Sequence, residues 1–102
     1  MTRTVLILGL RGVIVDDVVQ RLNRPDLVVH GGTGIDDLRA IFAANRVDHV
    51  IMGAGLELDT RLAIVRETFT LSDTTTVHMK DRASGPEGFL PFVRAVLTGL
   101  LV

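Results

Sequence analysis

The 102-residue sequence predicts a doubly wound α/β domain, a four-stranded parallel sheet in the order 2-1-3-4 with helices on both faces. Three observations carry that prediction. Short apolar runs are continuous rather than alternating, the mark of strands covered on both faces. The first three of them close in glycine-containing turns. Between the runs lie segments with apolar residues at three- and four-residue spacing, the stripe of a helix lying on a core. Strand and helix alternate four times with short connections, and right-handed crossovers then wind the helices onto both faces.

Thr4-Val5-Leu6-Ile7-Leu8, closed by Gly9, reads as the central strand. Val15, Val18, Val19 and Leu22 fall on one helical face, with Asp16, Asp17, Gln20 and Arg21 on the other. Leu27-Val28-Val29 is the second strand, ending in Gly31-Gly32-Thr33-Gly34. Ile35, Leu38, Ile41 and Phe42 give the second helix, with Thr33 and Asp36 spaced as a capping box. Val50-Ile51-Met52 is the third strand, ending in Gly53-Ala54-Gly55. Leu58, Leu62, Val65 and Phe69 predict the buried stripe of a third helix, with Asp59 as its N-cap. The more polar run Thr74 to Met79 suits an edge strand. Phe89, Val93, Val96, Leu97 and Leu100 form the last helix. Ser84 and Glu87 are spaced as a capping box, but a start near Gly88 keeps Pro91 in the first turn, where no N–H is needed.

Composition sets the outer bounds. One domain, residues 1–102, uses the whole chain, because a second core would have too few residues. Hydrophobic residues make up 47% and charged ones 23%, a composition that folds. A net charge of −1 with interspersed signs offers no basic stripe, so nucleic acid is not an expected partner. The absence of cysteine removes disulfides and thiolate chemistry and suits a reducing compartment. No apolar run is long enough to cross a bilayer, and Met1 to Leu10 lacks a secretory leader pattern. The expected location is the cytoplasm, with no membrane partner.

In open parallel sheets ligands bind beyond the carboxyl ends of the strands. Gly9-Leu10-Arg11-Gly12 stands there, at the start of the first helix, where free N–H groups and the helix dipole favour an anion. Gly9, Arg11, Gly12, Gly31, Gly32, Gly53 and Gly55 are therefore the candidate binding residues, with a small phosphorylated molecule as the expected ligand and no cofactor specified. The turn lacks the G-x-G-x-x-G spacing of the dinucleotide fingerprint. His30 and His78 lie near strand ends without metal-ligand spacing, and His49 opens a strand at the opposite end. Lys80-Asp81-Arg82 reads as a solvated loop after an edge strand, with an anion clamp as the competing reading. No nucleophile with its base can be assembled, so no catalytic or metal residue is assigned.

The segment Val5 to Gly12 with the helix after it, Asp37-Leu38, the stretch Asn45 to Asp48, and His49-Val50-Ile51-Met52-Gly53-Ala54-Gly55 resemble the nucleotide-binding half of atypical, epimerase-like short-chain dehydrogenase/reductase domains, over roughly Thr4 to Arg82. The resemblance implies a compact Rossmann- or flavodoxin-like fold with a nucleotide beside those glycine loops. The chain has no tyrosine, which excludes that family's Tyr-x-x-x-Lys pair, and His30 stands where a ribose-binding carboxylate is expected. A phospho-acceptor receiver domain is excluded as well, because the third strand ends Met52-Gly53 with no acceptor aspartate. Three functions are weighed: a small nucleotide- or phosphate-binding domain, a non-catalytic regulatory or interaction module acting as a homodimer, and, without an identifiable nucleophile and base, an enzyme using Lys80, Asp81 and His30 or His78 on a small substrate. The dimer is expected through the last helix, where Phe89 to Val102 carries more apolar surface than one face of a small sheet needs.

Overall fold

Val5 and Ile7 project to one face of the first strand and Leu6 and Leu8 to the other, and all four are fully buried. That two-sided burial is why the run is continuous rather than alternating. The computed structural model describes residues 2–101. Over them the order is β1 (Arg3–Leu8), α1 (Gly12–Arg21), β2 (Leu27–Gly32), α2 (Ile35–Ala44), β3 (His49–Met52), α3 (Leu58–Leu71), β4 (Thr76–Met79), a 3-10 turn at Pro86–Gly88, and α4 (Phe89–Leu100). Met1 and Val102, named in the amino-terminal segment and the apolar tail, lie outside the described residues.

The sheet has the order β2-β1-β3-β4, and every pairing is parallel, with β1 against both β2 and β3 and β3 against β4. Helices cover both faces. On one side α1 and α4 bury Val15, Val18, Phe89, Val93 and Leu97 against Val5, Ile7 and Ile51. On the other, α2 and α3 bury Leu38 and Ile64 against Leu6, Leu8, Val50 and Met52. Arg39 of α2 holds Glu67 of α3 through two hydrogen bonds, of 3.1 and 3.2 Å, and this pairing keeps the Glu67 carboxyl below the usual carboxylate range. No helix among the described residues is long and apolar enough to cross a membrane.

Several local expectations change. Leu58, Leu62 and Phe69 of α3 face solvent, and the helix buries Ile64 and Thr68 instead. Thr68 is tolerated inside because its hydroxyl donates to the Ile64 carbonyl at 2.8 Å. Glu57 rather than Asp59 is the N-cap of α3, and Asp59 sits in the first turn. The box expected of Thr33 and Asp36 is one residue out: Asp37 accepts from the Thr33 N–H at 2.8 Å, while Asp36 points to solvent beside Arg39. β4 is shorter than the run Thr74 to Met79, since Thr75 turns its hydroxyl onto the Val47 carbonyl before the strand begins. α4 follows Gly88, with Pro91 in its first turn. Its surplus apolar residues Leu90, Phe92, Val96 and Leu101 pack partly on the core, so the exposed apolar surface lies elsewhere.

Candidate functional site

The strand order reverses direction between β1 and β3, and at their carboxyl ends the β1–α1, β3–α3 and β4–α4 connections enclose a cavity of about 270 Å³. Gly9, Gly53 and Gly55 supply backbone to its wall. A Cβ on Gly55 would stand 3.1 Å from the Leu10 Cβ, so a side chain there would push on Leu10, whereas one on Gly53 would meet the Phe89 ring at an ordinary 3.4 Å. Leu10, Ile14, Pro86 and Phe89 make the rest of the surface largely apolar. Gly85, the one residue with positive φ among the described residues (φ 75°), turns the β4 loop back toward α4.

Three cations line the cavity, Arg11, Lys80 and Arg82, and no carboxylate does. Arg11 and Arg82 are exposed. Lys80 is 2% exposed, which overturns its expected place in a solvated loop. The physical reason is strand alternation: Lys80 follows β4 directly, and its backbone N–H continues the ladder by donating to the Met52 carbonyl at 2.9 Å. Its side chain therefore turns onto the α4 face, where the stem runs under Gly88, with a Cβ there only 3.2 Å from the Lys80 Cε. Nζ donates to the Asp81 carbonyl at 2.8 Å. It joins no ion pair, because the ion pairs among the described residues are Arg21–Asp17, Arg24–Asp26, Arg39 with Asp36 and Glu67, and Arg46–Asp48.

Asp81 is next in sequence and feels the charge of Lys80, but it makes no ion pair with it and does not line the cavity. Its carboxylate accepts from the Ser84 hydroxyl at 2.8 Å and the Ser84 N–H at 3.0 Å, bonds that hold it below the usual carboxylate range and brace the loop. Ser84 is thus a loop brace rather than a helix cap. Near Arg11, α1 starts without a side-chain cap and without an acidic residue in its first turn. Its leading N–H groups and the positive end of its dipole reinforce the cationic character of this edge.

Of the residues expected to bind, the structure brings Gly9, Arg11, Gly53 and Gly55 together around the cavity. Gly12 opens α1 beside Arg11 without lining it. Gly31 and Gly32 belong to β2 itself and do not line it. Their lack of side chains serves packing: a Cβ on Gly31 would stand 2.6 Å from the Val15 Cγ1, and one on Gly32 would stand 2.5 Å from the Asp37 Cβ. Lys80 and Arg82 line the same cavity as these glycines.

The histidines lie away from it. His30 is half-buried in β2, with Nε2 unpartnered. Near the amino ends of β3 and β4, Arg3 donates to His49 Nε2 at 3.1 Å, His49 Nδ1 meets the Thr76 hydroxyl at 2.6 Å, and that hydroxyl meets His78 Nε2 at 2.9 Å. Arginine can only donate, so neutral His49 carries its proton on Nδ1 and donates it to the Thr76 hydroxyl. Burial lowers the His49 pKa first and the Arg3 charge lowers it further, while burial also lowers that of His78. Comparison of the chain with protein-family models, curated proteins and solved structures gives no match.

Proposed function

We propose that the chain binds a small phosphorylated molecule in the cavity at the carboxyl ends of β1, β3 and β4. One observation carries the reading: a buried ammonium, Lys80, faces an apolar cavity with a single carbonyl as hydrogen-bond partner and no carboxylate. A buried ammonium with no ion-pair partner is costly, and an anionic ligand would supply that partner. Lys80 is the central phosphate contact, Arg11 and the start of α1 meet the same group from the β1 side, and Arg82 closes the mouth. The body of the ligand rests on Leu10, Ile14 and Phe89.

Size restricts the class. Pockets for drug-sized ligands run from roughly 300 to 1,000 Å³, and this cavity lies just under that range. A mononucleotide's sugar phosphate or a phosphorylated metabolite of few carbons fits the reading better than a dinucleotide. The nucleotide-binding resemblance agrees on the place of the ligand and extends to one phosphate-bearing half. A cysteine-free chain of this kind suits the cytosol.

The test is a thermal-shift and calorimetric panel of inorganic phosphate, sugar phosphates, nucleoside monophosphates and NAD, with sulfate as a non-metabolite anion. At a hundred times its Kd a ligand adds about 2.7 kcal/mol, and at about 4 to 8 °C per kcal/mol this raises Tm by more than 10 °C. Saturable stabilisation by a phosphorylated metabolite, lost in Lys80→Met, supports the reading. Silence across the panel, or equal binding to Lys80→Met, overturns it.

A further inference from the structure

Leu58, Leu62, Val65 and Phe69 were expected to be the buried stripe of α3, yet three of them are among the most exposed large apolar residues of the molecule, at 55%, 50% and 53% for Leu58, Leu62 and Phe69. At about 100° per residue the four fall within about 60° of one another, so they form a single seam along the helix. Glu67 lies about half a turn away and reaches Arg39 of α2, so the seam faces away from α2. The strand order puts α3, the crossover from β3 to β4, at the outer side of its layer. The seam therefore overhangs the open edge of β4. There Met79, on the same sheet face as Val77 and 42% exposed, extends it onto the sheet.

From this juxtaposition we infer that the α3 seam and the outer edge of β4 are a two-fold interface between two copies of this chain. The seam's spacing of four, three and four residues is that of knobs in packed helices. An antiparallel pair sets Leu58 against the partner subunit's Phe69 and Leu62 against the partner subunit's Val65. On one flank of the seam stand Asp59 and Arg66, both exposed and in no ion pair among the described residues. In the antiparallel arrangement equivalent flanks meet, so Asp59 faces the partner subunit's Arg66, and symmetry repeats the contact. A self-complementary patch of this kind fits a second copy better than any unrelated partner.

The sheet supports the same axis. A two-fold normal to the sheet makes both the α3 pair and the β4 pair antiparallel. Neighbouring strands lie about 4.8 Å apart, and a helix over the β3–β4 gap stands about 2.4 Å inside β4. Joining the β4 edges then puts the α3 axes about 10 Å apart, within the spacing of packed helices. β4 itself carries no lysine, glutamate, aspartate or proline to discourage such pairing. The dimer is thus a continuous eight-stranded sheet, with both cavities on its α1/α4 side and free of the interface.

Sedimentation equilibrium from low to high micromolar concentration tests the assignment on the full chain. The wild type is expected to dimerise. Leu62→Glu, at an exposed position that leaves the fold intact by circular dichroism, abolishes association. Asp59→Arg and Arg66→Asp each weaken it about ten-fold or more by turning paired contacts into repulsive ones, and the double reversal restores it. A wild type monomeric throughout overturns the inference, as does a dimer indifferent to Leu62→Glu. Failure of the double reversal to recover affinity overturns the antiparallel register. Loss of dimerisation leaves phosphate binding intact, which separates this interface from the cavity.

Discussion

The two ends of the same sheet face are built on opposite terms. At the amino ends, Arg3, His49, Thr76 and His78 are linked in a row by hydrogen bonds, and Asp48 accepts from the Thr4 N–H at 2.9 Å. At the carboxyl ends, three cations and an uncapped helix start surround a cavity with no carboxylate to meet them. The first end resembles a core that happens to be polar, complete in itself. The second is incomplete in one sign of charge. Buried polar groups that satisfy one another fix a structure, whereas an ammonium without an ion-pair partner is what the proposed phosphate site rests on.

The largest expected effect breaks the amino end. His49→Ala removes a buried ring and leaves Arg3 and Thr76 without their partner, and should cost about 2 to 4 kcal/mol in urea unfolding at pH 7.5. Phosphate affinity should stay unchanged, since the cavity lies at the other end. Lys80→Met does the reverse. It should weaken binding of the phosphorylated ligand by about 1.5 to 3 kcal/mol, while ligand-free stability holds or rises because an unpaired buried charge is gone. A destabilised Lys80→Met would mean that the ammonium serves the fold and would erase the contrast.

Acid sharpens the comparison further. His49 and His78 have folded pKa values below their ordinary value of about 6.5, so the unfolded chain takes up protons that the folded one refuses. Stability should be full at neutral pH and above, begin to fall as pH drops through about 6.5, and level off once both folded pKa values are passed. Urea midpoints measured from pH 8 to 5 check this, and His49→Gln should flatten the slope. The smallest effect belongs to Arg82→Ala. An exposed cation at the cavity mouth contributes about 0.2 to 1 kcal/mol, so affinity should drop only a few-fold, and the drop should disappear at high salt.

Strand positions and their order were legible because burial on both faces leaves an unambiguous trace: Val5 to Leu8 and Val50 to Met52 have no polar position to misread. That Gly9, Gly53 and Gly55 converge on one cavity was legible for a similar reason, since turns at one sheet edge come together whatever their side chains. α3 was not. Its sequence carries two overlapping apolar registers, Leu58-Leu62-Val65-Phe69 and Ile64-Val65-Thr68, and periodicity cannot choose between them without knowing that Thr68 can satisfy itself on its own helix. Lys80 was missed because a lysine after an edge strand is ordinarily solvated. The available signal was its alternation with Thr76 and His78, which assigns it to the face that α4 covers. The glycine run from Gly31 to Gly34 has the composition of a turn, yet Gly31 and Gly32 belong to β2, where glycine marks the close approach of a helix.

The burial of Lys80 also bears on how long the protein persists in a cell. Proteases cut transiently opened chains, and the fraction open at any moment follows the free energy of the folded state. On the proposed function, a chain whose buried ammonium beneath α4 has no ion-pair partner would open more readily when its cavity is empty and less readily when an anion fills it. Its abundance would then rise and fall with the supply of its ligand, and the speed of limited proteolysis becomes a gauge of the metabolite pool around it.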